Sequence, residues 1–189
     1  MGRTARAARP PPCPASVAPL CRSEPALNSP SPGPVPSPGP TLEEIRTVVN
    51  DLVPFQKFAG VEVTDIAAGR AVATLPDSGD TLNHVGTRHA AALFLVAEAA
   101  SGAALAGALR ERIAEISFVL RESAISYRRK ARGEIRAVAA VPDTDLPARV
   151  AQLPPGERFE ATTTSLLHDT GGEPVAEASF TYHCRLLAP

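Results

Sequence analysis

The longest apolar stretch of the chain runs from His89 to Leu109, where nearly every residue is Ala, Leu, Val, Phe or Gly. Apolar and polar positions do not alternate in it as they do in a half-buried strand, so the pattern predicts a helix. A helix that is apolar on every side is buried on every side. A membrane span is the alternative, but the Ala-rich composition, the central Glu98 and the lack of a second span disfavour it.

Glu98 lies in the middle of this predicted helix. Apolar surroundings disfavour the charged form of a lone carboxylate unless a partner group or water reaches it. A carboxylate in that position is therefore a candidate for chemistry. The alternative is an ordinary helix residue that reaches solvent or bonds to a neighbouring hydroxyl group.

The rest of the chain shows shorter patterns. Thr41 and Glu44 have the spacing of a capping box, which predicts a helix to Leu52 that Pro54 ends. Residues 55–60 are interpreted as a connector, and one helical turn is expected near residues 148–152. Runs of strand-forming residues between turn residues predict six strands. These strands are expected at residues 61–66, 70–75, 116–127, 134–141, 158–168 and 174–187.

This order of elements predicts an α+β fold in which an antiparallel sheet of about six strands wraps around one long central helix. The side of the helix turned away from the sheet is apolar and carries small residues. Gly in a helix interior costs about 1 kcal/mol relative to Ala, so Gly102 indicates a close neighbour. We therefore expect a homodimer in which a second copy packs against Ala91, Ala99, Gly102 and Ala106.

Composition divides the chain near residue 40. Residues 1–40 contain 12 of the 20 prolines, and such a stretch has little apolar surface to offset its ordering entropy. We expect residues 1–40 to be a disordered Pro-rich tail and residues 41–189 to be the folded domain. The three Cys lack disulfide or metal-ligand spacing and favour a reducing cytosol. The net charge of −1 gives no indication of nucleic acid or a membrane surface as a partner.

The spacing of Asn83, His89 and Glu98 carries geometric information. Nine residues of helix rise about 13–14 Å and turn by about half a turn beyond whole turns, so His89 and Glu98 of one chain point to opposite faces. If both serve one site, the start of one helix must meet the middle of another. Two antiparallel helices related by a two-fold axis supply that arrangement twice in a dimer.

The same residues carry a resemblance to the hot-dog fold superfamily. In its thioesterases of the PaaI and hydroxybenzoyl-CoA type, a loop Asn is followed six residues later by His and two Gly, and an acid follows nine residues after the His. Residues 127–139 resemble the YxxPAxG segment of these proteins, and residues 157–184 resemble their closing hairpin. The pattern NxxGTxHxxALFxxAExxxG of the YiiD C-terminal-like branch is similar to this chain at Asn83, Gly86, Thr87, His89, Ala92, Leu93, Phe94, Ala97, Glu98 and Gly102.

The resemblance implies an acyl-CoA thioesterase that hydrolyses a small or medium acyl thioester across a homodimer interface, without a metal or redox cofactor. The backbone N–H of Ala90 or Ala91 would stabilise the oxyanion at the positive end of the helix dipole. Asn83 would orient water or the carbonyl group, and His89 is expected to cap the helix. Glu98 of the other subunit would act as general base or nucleophile.

Four basic residues after the long strand are candidates for binding the phosphates of coenzyme A, because Arg and Lys suit phosphate; they are Arg128, Arg129, Lys130 and Arg132. A solvated strand end is the alternative. The family pattern has two glycines where this chain has Ala90 and Ala91, whose Cβ atoms crowd an approaching carbonyl group, and a proline where it has Lys130. The alternative function is therefore a binding module of the same fold that holds an acyl-CoA or acyl ligand without turnover. A tetramer is left open, and the expected location is the cytoplasm.

Overall fold

A computed structural model describes residues 39–188 of the chain. The expected Pro-rich tail, apart from its last two residues, lies outside the described residues. Within these residues, four α-helices and six strands follow one another. They are α1 (Leu42–Leu52), α2 (Pro54–Ala59), β1 (Glu62–Ala67), β2 (Arg70–Leu75), α3 (Ala90–Ala108), β3 (Ile116–Tyr127), β4 (Ile135–Ala140), α4 (Leu146–Ala151), β5 (Arg158–His168) and β6 (Pro174–Leu186).

The six strands form one antiparallel sheet in the order β1-β2-β4-β5-β6-β3. The long helix α3 packs across β1, β2, β4, β5 and β6, and the inward side chains of these strands form one core with it. The sequence-based expectation of an α+β fold with a sheet around one central helix is confirmed. β3 pairs with β6 on one side only, so no strand within residues 39–188 pairs with the other edge of this 12-residue strand.

Helix α3 is long and apolar enough to cross a membrane by length and composition, yet 67% of its most apolar window is buried inside the fold. That burial is what a core helix shows. Gly107 permits its closest approach to the sheet, because a Cβ atom there would clash with the backbone carbonyl oxygen of Ala67 on β1. The helix therefore lies directly on the β1–β2 hairpin.

Helix α1 begins with the capping box that the sequence predicts. The Thr41 hydroxyl oxygen accepts a hydrogen bond from the Glu44 N–H at 3.2 Å, and a Glu44 carboxylate oxygen accepts one from the Thr41 N–H at 2.8 Å. Residues 55–59, however, belong to the short helix α2 (Pro54–Ala59), so the interpretation of residues 55–60 as a connector is wrong. Pro54 occupies the first turn, where its missing N–H costs nothing, and Gly60 ends α2 in the left-handed conformation (φ 74°).

The small residues on α3 are covered differently from the expectation. Ala99 and Ala106 are already buried in one chain, where α1 packs on α3. A Cβ atom at Gly102 would lie 3.7 Å from the Tyr182 hydroxyl and 4.0 Å from the Phe118 ring, so its neighbours come from β6 and β3. The expectation that Ala99 and Ala106 contact the helix of a second copy is therefore wrong. Ala91 is exposed, so it is still accessible to a second copy.

Candidate functional site at the start of the central helix

The start of α3 leaves one backbone donor free. The His89 side chain caps the helix, as expected, because its Nδ1 accepts a hydrogen bond from the Ala91 N–H at 3.0 Å. That bond occupies one of the two N–H groups considered as oxyanion donors. The N–H of Ala90, the first helical residue, has no partner within the helix and bonds to no other described residue. Ala90 is therefore the donor that the positive helix end offers to a ligand.

Asn83 shapes the loop that precedes this helix. Its Oδ1 accepts hydrogen bonds from the N–H groups of Val85 and Thr87, both at 3.1 Å. Its Nδ2 donates to the Thr87 hydroxyl at 2.9 Å and lies 3.5 Å from the Arg88 carbonyl oxygen. Both ends of the Asn83 amide are used inside the loop, so its direct role is to hold the loop beside the helix start.

Arg88 is a site residue that the sequence reasoning missed. Its side chain is fully buried, and its guanidinium donates to the carbonyl oxygens of Gly133 (2.8 Å) and Ser78 (2.5 Å) and to the Thr81 hydroxyl (2.7 Å). It also pairs with the Asp77 carboxylate, and burial lowers the pKa of the guanidinium. Arg88 thus ties the loop before α3 to the turn after β3. An Arg immediately before the apolar helix was the available signal.

Tyr127 also joins β3 to the helix start. Its hydroxyl donates to the Ala90 carbonyl oxygen at 3.1 Å, and burial raises the pKa of the phenol. A cavity of about 440 Å³ opens here beside the first turn of α3. It is lined by Asn83, Thr87, Arg88, Ala90, Leu93, Tyr127, Arg128, Arg129, Lys130 and Ala131.

Three of the four residues predicted to bind coenzyme A line this cavity. They differ in whether the charge of the side chain is already paired with a carboxylate. Arg128 pairs with Glu177 at 2.5 Å, and Arg129 pairs with Glu173. Lys130 has no ion pair with another residue in the range 39–188. Arg132 lies outside the cavity lining, with its Nη1 3.4 Å from the Gly86 carbonyl oxygen. Lys130 is therefore the cation most available to a phosphate group.

Glu98 lines a different cavity of about 130 Å³, on the α1–α2 side of α3. Burial raises the pKa of its carboxyl group, and a hydrogen bond from the Gln56 side chain acts in the opposite direction. Within one chain, Glu98 and the free N–H of Ala90 do not share a cavity. The two groups are separated along the helix, because eight residues of helix rise about 12 Å.

A third cavity, of about 190 Å³, lies against the first two turns of α3 on the side of α2. His89 and Ala91 are part of its lining, and Phe55, Phe58 and Leu95 give it a large apolar surface. The two Phe side chains are 62% and 85% exposed, although large apolar side chains are usually buried. A basic cavity and an apolar cavity therefore flank the same helix start.

No group of three His, Cys, Asp or Glu side chains suited to a metal ion occurs in the part of the chain that the structure describes. The site thus consists of a backbone donor, a basic side, an apolar side and a separate half-buried carboxylate.

Comparison with solved structures places the fold in the hot-dog thioesterase superfamily. A probable thioesterase of unknown function from Pseudomonas aeruginosa is 25% identical, with a TM-score of 0.63 over 79% of this chain and 98% of that chain. A thioesterase family protein from Silicibacter pomeroyi (16% identity, TM-score 0.63, covering 77% and 99%) and a thioesterase from Haemophilus influenzae (16%, 0.61, covering 79% and 93%) share the fold.

Residues 42–184 match the family model described as a domain of unknown function, DUF4442, and the chain belongs to that family. No curated protein matches the sequence at a significant level. The superfamily inferred from Asn83, His89 and Glu98 is confirmed, while the finer YiiD-like branch stays a prediction.

Proposed function

We propose that this protein is an acyl-CoA thioesterase for small or medium acyl groups. One observation carries the proposal: the free N–H of Ala90 lies at the positive end of α3, between a cavity with basic residues and an apolar cavity. A thioester with its carbonyl oxygen at Ala90 has room for coenzyme A on the basic side and for the acyl group on the apolar side. Since a water molecule takes about 30 Å³ of liquid, 190 Å³ suits about six non-hydrogen atoms.

The proposed reaction is hydrolysis assisted by a general base. The Glu98 carboxylate takes a proton from water while the water oxygen attacks the thioester carbon. The Ala90 N–H then stabilises the oxyanion of the tetrahedral intermediate, helped by the helix dipole. When the intermediate collapses, the C–S bond breaks and the thiol of coenzyme A leaves with the proton that Glu98 returns. The proposal needs no metal or redox cofactor.

Because Glu98 and Ala90 of one chain line separate cavities, the proposal requires a homodimer. Glu98 of one subunit would face Ala90 of the other, with the two α3 helices antiparallel. The open edge of β3 supports this assembly, since an unpaired strand edge is a template for pairing with another chain. Pairing of dimers into a tetramer and a cytoplasmic location stay predictions.

A binding module for acyl-CoA is the second candidate. This candidate is favoured because two of the groups expected to contact the thioester already have hydrogen-bond partners. The Ala91 N–H donates to His89, and the Asn83 amide bonds within its own loop. A thioester carbonyl would then meet one backbone donor, and the Cβ atoms of Ala90 and Ala91 narrow its approach.

Steady-state hydrolysis of a panel of acyl-CoAs from acetyl to octanoyl, followed by release of the thiol, tests the proposal. We expect turnover by the wild type and a loss of at least about 100-fold in kcat for Glu98→Gln, because the general base is removed. Asn83→Ala is expected to lose activity together with order in the loop. Tight binding of acyl-CoA without turnover of any panel member would replace the thioesterase with the binding module.

A further inference from the structure

Gln56 is a buried polar residue without a role in the reaction described so far. It lies in the middle of the short helix α2 and is 7% exposed. Its backbone carbonyl oxygen accepts a hydrogen bond from the Val61 N–H at 2.9 Å, so α2 is tied to the start of β1. Its side chain lines the same small cavity as Glu98. A buried amide is costly unless its polar atoms are hydrogen-bonded.

Gln56 is the polar side chain that shares the small cavity of Glu98. The rest of the lining is apolar: Val49, Leu52 and Val53 come from α1 and its end, Phe118 from β3, and Ala99, Gly102 and Ala103 from α3 itself. From β6, the Tyr182 hydroxyl lies 3.5 Å from the backbone carbonyl oxygen of Glu98. Tyr182 is the titratable group that faces Glu98 among the described residues of α1, α2, β3 and β6, and its pKa is raised, first by burial and then by the charge of Glu98.

Helix α2 is held firmly enough to position a side chain. Pro54 begins it and Gly60 ends it, and the preceding helix α1 is pinned to β1 through Asn50. The Asn50 amide donates to the Val63 carbonyl oxygen at 3.0 Å and accepts from the Val63 N–H at 2.8 Å. The two helices therefore place Gln56 in the wall of the cavity that Glu98 lines.

We propose that Gln56 is a positioning residue for Glu98: its side-chain N–H donates to the carboxylate across the cavity that both residues line and fixes the direction in which the carboxylate meets water. An ionised carboxylate can only accept hydrogen bonds, so the amide must present its NH₂ end. This inference rests on the proposed function, because it gives Glu98 the part of general base. It also assigns α2 to the site, since Gln56 of α2 and Glu98 line the same cavity.

The consequence for pH follows from the two opposing effects on Glu98. Burial raises the pKa of this carboxyl group and the hydrogen bond from Gln56 lowers it. Replacing Gln56 by Met keeps the length and the burial but removes the donor. The pKa of Glu98 in Gln56→Met is therefore expected to rise by about one unit, because the ionised carboxylate loses its hydrogen-bond donor. In Gln56→Glu, two carboxyl groups share the cavity, so the pKa of Glu98 is expected to rise by at least as much.

The experiment measures the pKa of Glu98 directly and the pH profile of the rate in parallel. The full chain is labelled with ¹³C in the Glu carboxyl groups, and Glu98→Gln identifies the resonance of Glu98. Wild type, Gln56→Met and Gln56→Glu are titrated. Gln152→Met is the matched control, because Gln152 is an exposed glutamine at the end of α4. The same variants are assayed for kcat/KM of acyl-CoA hydrolysis across pH.

We expect both Gln56 variants to move the Glu98 titration and the acidic limb of the rate profile to higher pH, while Gln152→Met leaves both unchanged. A Glu98 pKa in Gln56→Met within about 0.2 units of the wild-type value would overturn the role of Gln56. Failure of the proposed function would give a different result. The wild type would then turn over no substrate, whereas the titrations would still show the effect of Gln56 on Glu98. If Gln56→Met does not fold, Gln56→Glu carries the same comparison.

Discussion

Replacing Ala90 by proline separates the oxyanion donor from the stability of the helix. Ala90 is the first residue of α3, where proline is well tolerated and its missing N–H is one the helix does not use. The residue before proline must be extended, and His89 already is, at φ −66° and ψ 140°. The cap from His89 to the Ala91 N–H and the bond from Tyr127 to the Ala90 carbonyl oxygen do not involve the deleted hydrogen.

Ala90→Pro is therefore expected to change the free energy of unfolding by less than about 1 kcal/mol in either direction. The loss of one oxyanion donor should lower kcat by about 10²- to 10³-fold, equivalent to about 2.7–4 kcal/mol of transition-state stabilisation. KM should change little by comparison, because the donor acts on charge that develops in the transition state.

Urea denaturation and steady-state kinetics of the same preparation make the two measurements. Ala90→Gly is the matched control, since it keeps the N–H and removes the Cβ atom that crowds the carbonyl group; we expect it to retain or raise kcat. A folded Ala90→Pro protein with kcat within about threefold of wild type would refute the assignment of this N–H as the oxyanion donor.

Three further predictions concern charges. Arg88→Met should lower the free energy of unfolding by about 3–4 kcal/mol in thermal or urea unfolding, because the carbonyl oxygens of Gly133 and Ser78 and the Thr81 hydroxyl lose their buried donor. Exposed Arg70→Met should cost less than about 0.5 kcal/mol, and equal effects of the two substitutions would contradict this. The pKa of Glu98 is raised by burial and the base must be ionised, so kcat/KM should fall as the pH falls through a value above the ordinary 4.5; an acidic limb at or below 4.5 would contradict this. Lys130→Ala should raise KM for acyl-CoA but not for the same acyl group on N-acetylcysteamine, and an equal effect on both would remove Lys130 from phosphate binding.

The sequence predicts most of the fold because periodicity and turn residues agree along the chain. The bounds of β2, β3 and β5 are the predicted ones, since Gly, Pro or a charged turn brackets each run. The six-residue helix α2 was missed because one and a half turns give no readable periodicity. Its ends depend instead on Pro54 and on the left-handed conformation of Gly60.

The sequence also predicts the part of the site that depends on residues close together in the chain. The spacing of Asn83, His89 and Glu98 is local, so it indicates a loop, a helix cap and a half-buried acid on opposite faces of one helix. Arg88 and Gln56 were missed because their partners are distant in sequence. The Arg88 guanidinium bonds to the carbonyl oxygen of Gly133, 45 residues away, and the position of Arg88 beside the apolar stretch does not indicate which residues it contacts.

Mixing two inactive variants tests the shared site most directly. Ala90→Pro subunits and Glu98→Gln subunits are each expected to form inactive homodimers. In a mixed dimer, the intact Ala90 of one subunit meets the intact Glu98 of the other at one of the two sites. After free exchange of equal amounts, half of the dimers are mixed and each has one working site, so we predict about one quarter of wild-type activity. Activity that stays at the level of the separate variants, although subunit exchange has been demonstrated, would contradict a site built from two chains.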